Sequence, residues 1–146
     1  MDKIIYETNA PAETFELGRK LGEKAKAGTI IAMSGDLGVG KTLFTQGFAK
    51  GLGIDEPVSS PTFTILQVYD SGRIPFYHFD VYRVGDPEEM DEIGFEDYIF
   101  GEGVSIIEWA ELIEELLPPE TAYVKIEKDP EKGFDYRKIT LENIKD

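Results

Sequence analysis

The chain contains no cysteine, which excludes both a disulfide framework and a thiolate metal site. Its apolar runs are short, and none approaches the roughly 20 residues that a membrane-spanning helix needs. The N-terminal residues 1–5 lack the architecture of a signal peptide. These absences favour a protein of the reducing cytoplasm with no place in a membrane.

Basic residues are scarce. There are 15 Lys+Arg against 29 Asp+Glu, which gives a formal net charge of −14, and no basic cluster occurs along the chain. Proteins bind nucleic acids largely through Lys and Arg side chains that neutralise phosphates. Strong direct binding of DNA or RNA by this chain alone is therefore not expected. An acidic surface suits a basic protein partner, although it also simply keeps a protein in solution.

The most informative stretch that is present is GDLGVGKT at residues 35–42. It follows the apolar run 30–33, precedes an amphipathic helix, and matches the phosphate-binding pattern G-x-x-x-x-G-K-[ST]. Glycines let backbone N–H groups point at phosphate oxygens, helped by the positive end of the helix dipole. Lys41 is predicted to reach the β- and γ-phosphates, and the Thr42 hydroxyl to bind Mg²⁺. The predicted nucleotide contacts are Asp36, Leu37, Gly38, Val39, Gly40, Lys41, Thr42 and Leu43.

The remaining pattern predicts one α/β domain over residues 1–146, with helices flanking a sheet of mixed strand direction. Strands are predicted at residues 4–7, 29–33 and 104–107, and in two hairpins, 63–69 with 74–80 and 122–128 with 137–142. Helices are predicted between Pro11 and Gly28, over 41–52, from Asp86, over 96–100 and over 110–117. Gly18 and Gly22 are expected to allow close helix packing.

Two acidic residues each end an apolar strand. A site that hydrolyses a nucleotide needs a carboxylate that holds Mg²⁺, directly or through water, and a group that places the attacking water. Asp80 lies where such a metal-binding acid belongs, although a capping role also fits. Glu108, two residues after Ile106, is well placed for Mg²⁺ or for orienting water, with an exposed strand end as the alternative.

Other candidate positions carry weaker signals. The Ser/Thr-rich loop at residues 59–63 has the position of a nucleotide-sensing switch, and a plain turn fits equally well. Trp109 is compatible with the core and with a nucleotide or partner contact. His78, the only histidine, is interpreted as structural, with a helper role left open.

The motifs GDLGVGKT, SSPTF, HFDVYR and IIEWAE, in this order and spacing, resemble the bacterial TsaE (YjeE) family. Members of that family are small P-loop ATPases of the threonylcarbamoyladenosine tRNA-modification pathway. The resemblance implies a protein that binds ATP and Mg²⁺ and slowly hydrolyses ATP to ADP and phosphate. It also implies two partner proteins, TsaD and TsaB, whose repeated turnover the ATPase cycle supports. The tRNA would be contacted only through these partners, which agrees with the acidic charge.

The family motifs also imply roles for single residues. Lys41 and the loop amides correspond to the phosphate-binding groups, Thr42 and Glu108 to the Mg²⁺-linked residues, and Asp80 to the second acidic motif. The switch-like loop and the tryptophan of the family correspond to Ser60, Pro61, Thr62 and Trp109. Apart from these motifs, the resemblance implies that the segment Asn9 to Pro11 and the last hairpin flank adenine, with Ala10, Pro11 and Arg137 as the contact positions.

Two alternative functions remain open at this point. The first is a nucleotide-dependent scaffold, for which binding matters and hydrolysis is incidental. The second is a small-molecule kinase, which usually needs several lid arginines. The arginines of this chain are Arg19, Arg73, Arg83 and Arg137. A GTPase is not expected, because residues 143–146 carry the letters of the guanine-reading motif N-K-x-D in the wrong order.

Overall fold

The computed structural model describes residues 3–35, 40–58, 65–82 and 84–144. The strands in these ranges are β1 (Lys3–Thr8), β2 (Ile30–Ser34), β3 (Leu66–Tyr69), β4 (Phe76–Asp80), β5 (Val104–Glu108), β6 (Ala122–Lys128) and β7 (Arg137–Glu142). The α-helices are α1 (Pro11–Lys24), α2 (Lys41–Gly51), α3 (Glu89–Glu92) and α4 (Phe95–Ile99). Two 3₁₀ segments cover Ala110–Leu116 and Pro130–Lys132. No helix within the described ranges is both long and apolar enough to cross a bilayer.

The strands form one seven-stranded sheet in the order β1-β7-β6-β2-β5-β4-β3. The four inner strands β6, β2, β5 and β4 are parallel, and the pairs at both edges are antiparallel. Both predicted hairpins are present, as β3–β4 and β6–β7. The predicted fold class, an α/β sheet of mixed direction flanked by helices, is confirmed.

Helices α1 and α2 pack against each other through glycines. A Cβ atom added at Gly18 would lie 2.3 Å from the carbonyl oxygen of Phe44, and one added at Gly47 would lie 2.1 Å from that of Phe15. No side chain fits at these points, so the two backbones touch directly. The close packing predicted at Gly18 and Gly22 is confirmed. This packing fixes the position of α2 on the sheet.

Apolar side chains fill both faces of the sheet. Phe44, Phe48 and Leu52 are fully buried on the face that α1 and α2 cover. The opposite face is closed by α3, α4 and the 3₁₀ segment that follows β5. Its buried residues include Phe79, Met90, Phe95, Ile99, Ile107 and Ile113.

Three helix predictions differ from the structure in type or boundary. The helix after Pro11 ends at Lys24, well before Gly28. The segment predicted as a helix from Asp86 begins its helix at Glu89, because the Asp86 side chain and carbonyl first close a turn onto residues 88 and 89. The helix predicted over 110–117 is a 3₁₀ helix, kinked where Ile113 enters the core.

Candidate functional site

Lys41 is the first residue of α2 and directly follows Gly40. Gly40 before it has a φ of 104°, in the left-handed region that favours glycine, and a Cβ at this glycine would meet nothing within 4 Å. The Lys41 side chain is charged yet only 8% exposed. Open space beside Gly40, the positive end of α2 and a buried ammonium group are the features of an anion site. The predicted loop contacts Asp36, Leu37, Gly38 and Val39 lie outside the described residues.

The two predicted acidic residues lie at the same edge of the sheet. Asp80 and Glu108 are directly opposite each other in the parallel pairing of β4 with β5. On its other side, Glu108 is paired with Met33 of β2, the strand that leads toward Lys41. The carboxyl ends of three neighbouring parallel strands therefore meet beside the start of α2, where α/β proteins usually bind ligands.

A hydrogen bond ties Glu108 to the only histidine of the chain. The distance from His78 Nε2 to Glu108 Oε2 is 2.7 Å, and both side chains are buried. His78 lies on β4, two residues before Asp80. This contact was not predicted, and only a helper role for His78 was open from the sequence.

Asp80 has an unusual environment for a carboxyl group. Burial raises its pKa above 3.8, and the nearby charge of Glu108 raises it further. The backbone N–H of Tyr82 donates to Asp80 Oδ1 at 3.0 Å and partly offsets the rise, as do His78 and Lys41. These groups are therefore close enough to influence one another electrostatically.

Trp109 lies next to the cluster of Lys41, Asp80 and Glu108. It adopts a left-handed backbone conformation with a φ of 62°, which is uncommon for a residue other than glycine. The Lys41 Nζ lies 5.2 Å from the centroid of the Trp109 ring, and the ring of Tyr82 lies 4.8 Å from it. Tyr82 is 61% exposed. Tyr82 was not predicted as a site residue, although it belongs to the HFDVYR motif.

The remaining predicted residues lie at the start of α1, on the last hairpin, on α2 or outside the described residues. Ala10 precedes α1, Pro11 begins it, and Arg137 is paired in register with Thr8 just upstream. Arg137 also lies opposite the last residue of β6. It is therefore at the carboxyl end of the parallel strands, as Glu108 is. Leu43 follows Lys41 on the first turn of α2. The switch-loop residues Ser60, Pro61 and Thr62 lie outside the part of the chain that the structure describes.

The donor set suits Mg²⁺ held together with a phosphate ligand. Within the described ranges, no group of three or more His, Cys, Asp or Glu side chains is arranged to hold a metal by itself. Mg²⁺ is typically bound by one or two carboxylates plus substrate phosphates, and not by an all-protein cage. Asp80 and Glu108 would supply the carboxylates, and Thr42 is the hydroxyl residue next to Lys41. These residues fit the ion that the sequence predicts.

The parallel core, the Gly-Lys-Thr start of α2 after a central strand, and the acids at neighbouring strand ends define a protein of the P-loop fold class. The family profile described as "Threonylcarbamoyl adenosine biosynthesis protein TsaE" matches residues 8–139, and the chain belongs to this TsaE family. The predicted family is confirmed.

Named relatives agree with this membership. The tRNA threonylcarbamoyladenosine biosynthesis protein TsaE of Bacillus subtilis is 45% identical over 97% of this chain and 86% of its own length. The protein of the same name from Treponema pallidum is 40% identical over 78% of this chain and 84% of its own length. Among solved structures, the crystal structure of Bacillus subtilis YdiB superposes with a TM-score of 0.81 at 38% identity, covering 99% of this chain and 87% of that one.

Proposed function

We propose that this protein is a slow, Mg²⁺-dependent ATPase that assists the threonylcarbamoyladenosine modification of tRNA. The role in that pathway rests on membership of the TsaE family. The ATPase activity rests on one observation above all: Asp80 and Glu108 face each other at the strand ends beside the buried Lys41. A buried ammonium needs an anionic ligand, and a pair of acids beside it needs a cation. A nucleoside triphosphate with its metal ion supplies both the anion and the cation.

Each residue of the site has a part in this proposal. Lys41 and the backbone amides at the start of α2 bind the phosphates, with residues 36–39 completing the contact. Thr42, Asp80 and Glu108 hold Mg²⁺, which supplies charge neutralisation on the phosphates when it is bound. Glu108 also orients the attacking water. These assignments give Lys41, Asp80 and Glu108 the catalytic roles.

The adenine is proposed to lie between Arg137 and the segment that enters α1. Arg137 and Thr8 are register partners at the edge of the sheet where the site opens, and Ala10 and Pro11 follow directly. The Arg137 guanidinium donates to the carbonyl oxygens of Phe134 and Tyr136, which holds it on the last hairpin. The nucleotide would then extend from this hairpin toward Lys41.

The proposed partners are the TsaD and TsaB proteins, with tRNA reached only through them. A net charge of −14 disfavours direct contact with RNA phosphates. The exposed ring of Tyr82 next to Trp109 offers an aromatic contact for a protein partner beside the nucleotide site. A cytoplasmic location is part of the same proposal.

The environment of the arginines counts against a small-molecule kinase. Arg19 is bonded to Glu16 and Glu23 on the outside of α1. Arg73 donates to three backbone carbonyls at the end of the same helix. Arg137 is held by carbonyls of its own hairpin, and Arg83 lies outside the described residues. No described arginine is placed as a mobile lid residue that reaches a second substrate.

ATP hydrolysis measured with and without the TsaB–TsaD pair tests the proposal. Lys41→Ala is expected to abolish nucleotide binding, whereas Glu108→Ala is expected to bind ATP and lose hydrolysis. Glu102→Ala is a matched control, because Glu102 is an exposed glutamate just before the other end of β5. If Glu108→Ala hydrolyses ATP at the parent rate with both partners present, the role of Glu108 is wrong. If Glu108→Ala lacks hydrolysis and still supports repeated tRNA modification, the protein is a nucleotide-dependent scaffold.

A further inference from the structure

We propose that His78 is a positioning residue that holds the Glu108 carboxylate in the orientation needed for ATP hydrolysis. This inference rests on the proposed function, since it assigns a supporting residue to the same site. His78 acts only through its contact with Glu108. The register of β4 and β5, the burial of both side chains and the hydrogen bond between them support this role.

The register explains why these two side chains meet. His78 is paired with Ile106, so Glu108 lies diagonally one step further along the neighbouring strand. Alternate residues of a strand share a face, and both side chains lie on the face that α2 covers, where Phe76 and Ile106 also pack. Glu108 therefore reaches the His78 Nε2 at 2.7 Å across the two neighbouring strands.

The His78 imidazole presents Nε2 to Glu108 and packs its ring plane on an aromatic neighbour. Its Nδ1 is buried and has no hydrogen-bond partner in the described part of the chain. The ring stacks on Phe76, with centroids 5.9 Å apart and planes inclined by 13°. A carboxylate can only accept a hydrogen bond, so the Nε2–H of His78 donates to Glu108. Within the described residues, the polar contact of the His78 ring is this bond to Glu108.

Glu108 needs this restraint because of its neighbour. Asp80 lies directly opposite in the pairing, and two adjacent carboxylates repel each other. Asp80 is separately held by the N–H of Tyr82. With Oε2 of Glu108 bonded to His78, the two acids keep distinct positions, and the other oxygen of Glu108 is left to act on the metal ion or the attacking water. Ligands of metal sites are commonly oriented by such outer hydrogen bonds.

Paired substitutions test this role. His78→Leu removes the donor, whereas His78→Gln keeps an N–H group near the position of Nε2. Loss of orientation by about 1 Å is expected to lower kcat by about tenfold to hundredfold in His78→Leu. The ATP dissociation constant, measured by calorimetry, should change less than about threefold, because Lys41 still binds the phosphates. His78→Gln should recover most of the kcat.

A second readout does not depend on activity. In urea unfolding without nucleotide, His78→Leu should lower the midpoint, because it leaves the Glu108 carboxylate buried and unpaired. The same substitution in a Glu108→Ala background should lower the midpoint much less, since the partner is already absent. In that background it should also leave the residual hydrolysis rate unchanged. Phe79→Leu is the matched control: it removes a buried aromatic from the other face of β4, and should lower the midpoint without changing kcat.

The outcomes separate the two proposals. An inactive Glu108→Ala combined with a fully active His78→Leu overturns the positioning role alone. A fully active Glu108→Ala overturns the proposed function and the positioning role with it. If His78→Leu does not fold, His78→Gln is compared with His78→Asn, whose amide is too short to reach Glu108. Equal kcat values in these two variants would overturn the positioning role.

Discussion

The ammonium group of Lys41 lies over the indole ring of Trp109, with Nζ 5.2 Å from the ring centroid. Trp109 directly follows Glu108 and also contacts the exposed Tyr82. The cation–π contact thus connects the proposed phosphate-binding lysine to the aromatic surface beside the site. When Lys41 turns toward a phosphate, it must weaken or leave this contact. Nucleotide binding should therefore change the environment of the Trp109 ring.

Trp109 is the single tryptophan of the chain, so tryptophan fluorescence reports on the surroundings of this one ring. We expect the emission to change when ATP or ADP is added with Mg²⁺, because a charged group leaves the indole ring. A fluorescence titration measures the change, with Lys41→Met as the variant that should show none. Unchanged emission at nucleotide concentrations where calorimetry detects binding would contradict the prediction.

The acidic pair Asp80 and Glu108 could be predicted from the sequence, whereas the hydrogen bond from His78 to Glu108 could not. Asp80 and Glu108 each end a recognisable apolar strand, and the carboxyl ends of parallel strands meet at one edge of a sheet. The bond from His78 to Glu108 depends on which residue of β4 faces which residue of β5. No local pattern encodes that register across a connection that contains two helices. The exposed position of Tyr82 beside Trp109 was hidden for the same reason.

Local patterns also failed where the core determined the backbone. The segment 110–117 has a helical pattern, with Pro118 and Pro119 as a stop. In the structure it begins from the left-handed Trp109 and is kinked at Ile113, which has a φ of −127° and is fully buried. Filling the core beside β5 therefore outweighed the preference for a regular α-helix.

The contact of α1 with α2 predicts that Gly47→Ala is strongly destabilising. The new methyl group would lie 2.1 Å from the carbonyl oxygen of Phe15, so the helices must move apart. Overpacking of this kind costs about 1 to 3 kcal/mol, and backbone has little freedom to yield. Urea unfolding measures the loss. Gly85→Ala is the control, because a Cβ there would meet only a side-chain oxygen of Glu89 at 3.7 Å. Equal stability of the two variants would contradict the packing argument.

Arg73 is predicted to stabilise the end of α1. Its guanidinium donates to the carbonyl oxygens of Gly22, Glu23 and Ala25 at 2.6 to 2.9 Å. Carbonyl groups at a helix C-terminus lack partners within the helix and favour a nearby cation. Arg73→Met should lower the unfolding free energy by about 1 to 2 kcal/mol, given that the site is partly exposed. Lys24→Met, at an exposed position of the last turn, should have little effect, and a comparable loss there would contradict the assignment.

Asp80 is predicted to lower the stability of the nucleotide-free protein at neutral pH. Burial, followed by the charge of Glu108, raises the pKa of its carboxyl group above 3.8 in the folded state. The folded state then holds the proton more tightly than the unfolded state does. The unfolding free energy therefore falls as the pH rises from 3.8 through the folded-state pKa, and stays lower above it.

The Asp80→Asn substitution separates this stability cost from the proposed function. The amide oxygen can still accept the N–H of Tyr82, but no charge develops at any pH. Thermal unfolding without nucleotide or Mg²⁺ should give equal midpoints for parent and variant well below pH 3.8, and a higher midpoint for the variant at neutral pH. With ATP and Mg²⁺ the order should reverse, because the parent carboxylate gains a metal partner. A variant that is less stable than the parent at neutral pH without ligand would contradict the sign of the effect. The expected pattern is that of a functional group whose charge destabilises the free protein and is satisfied only in the bound state.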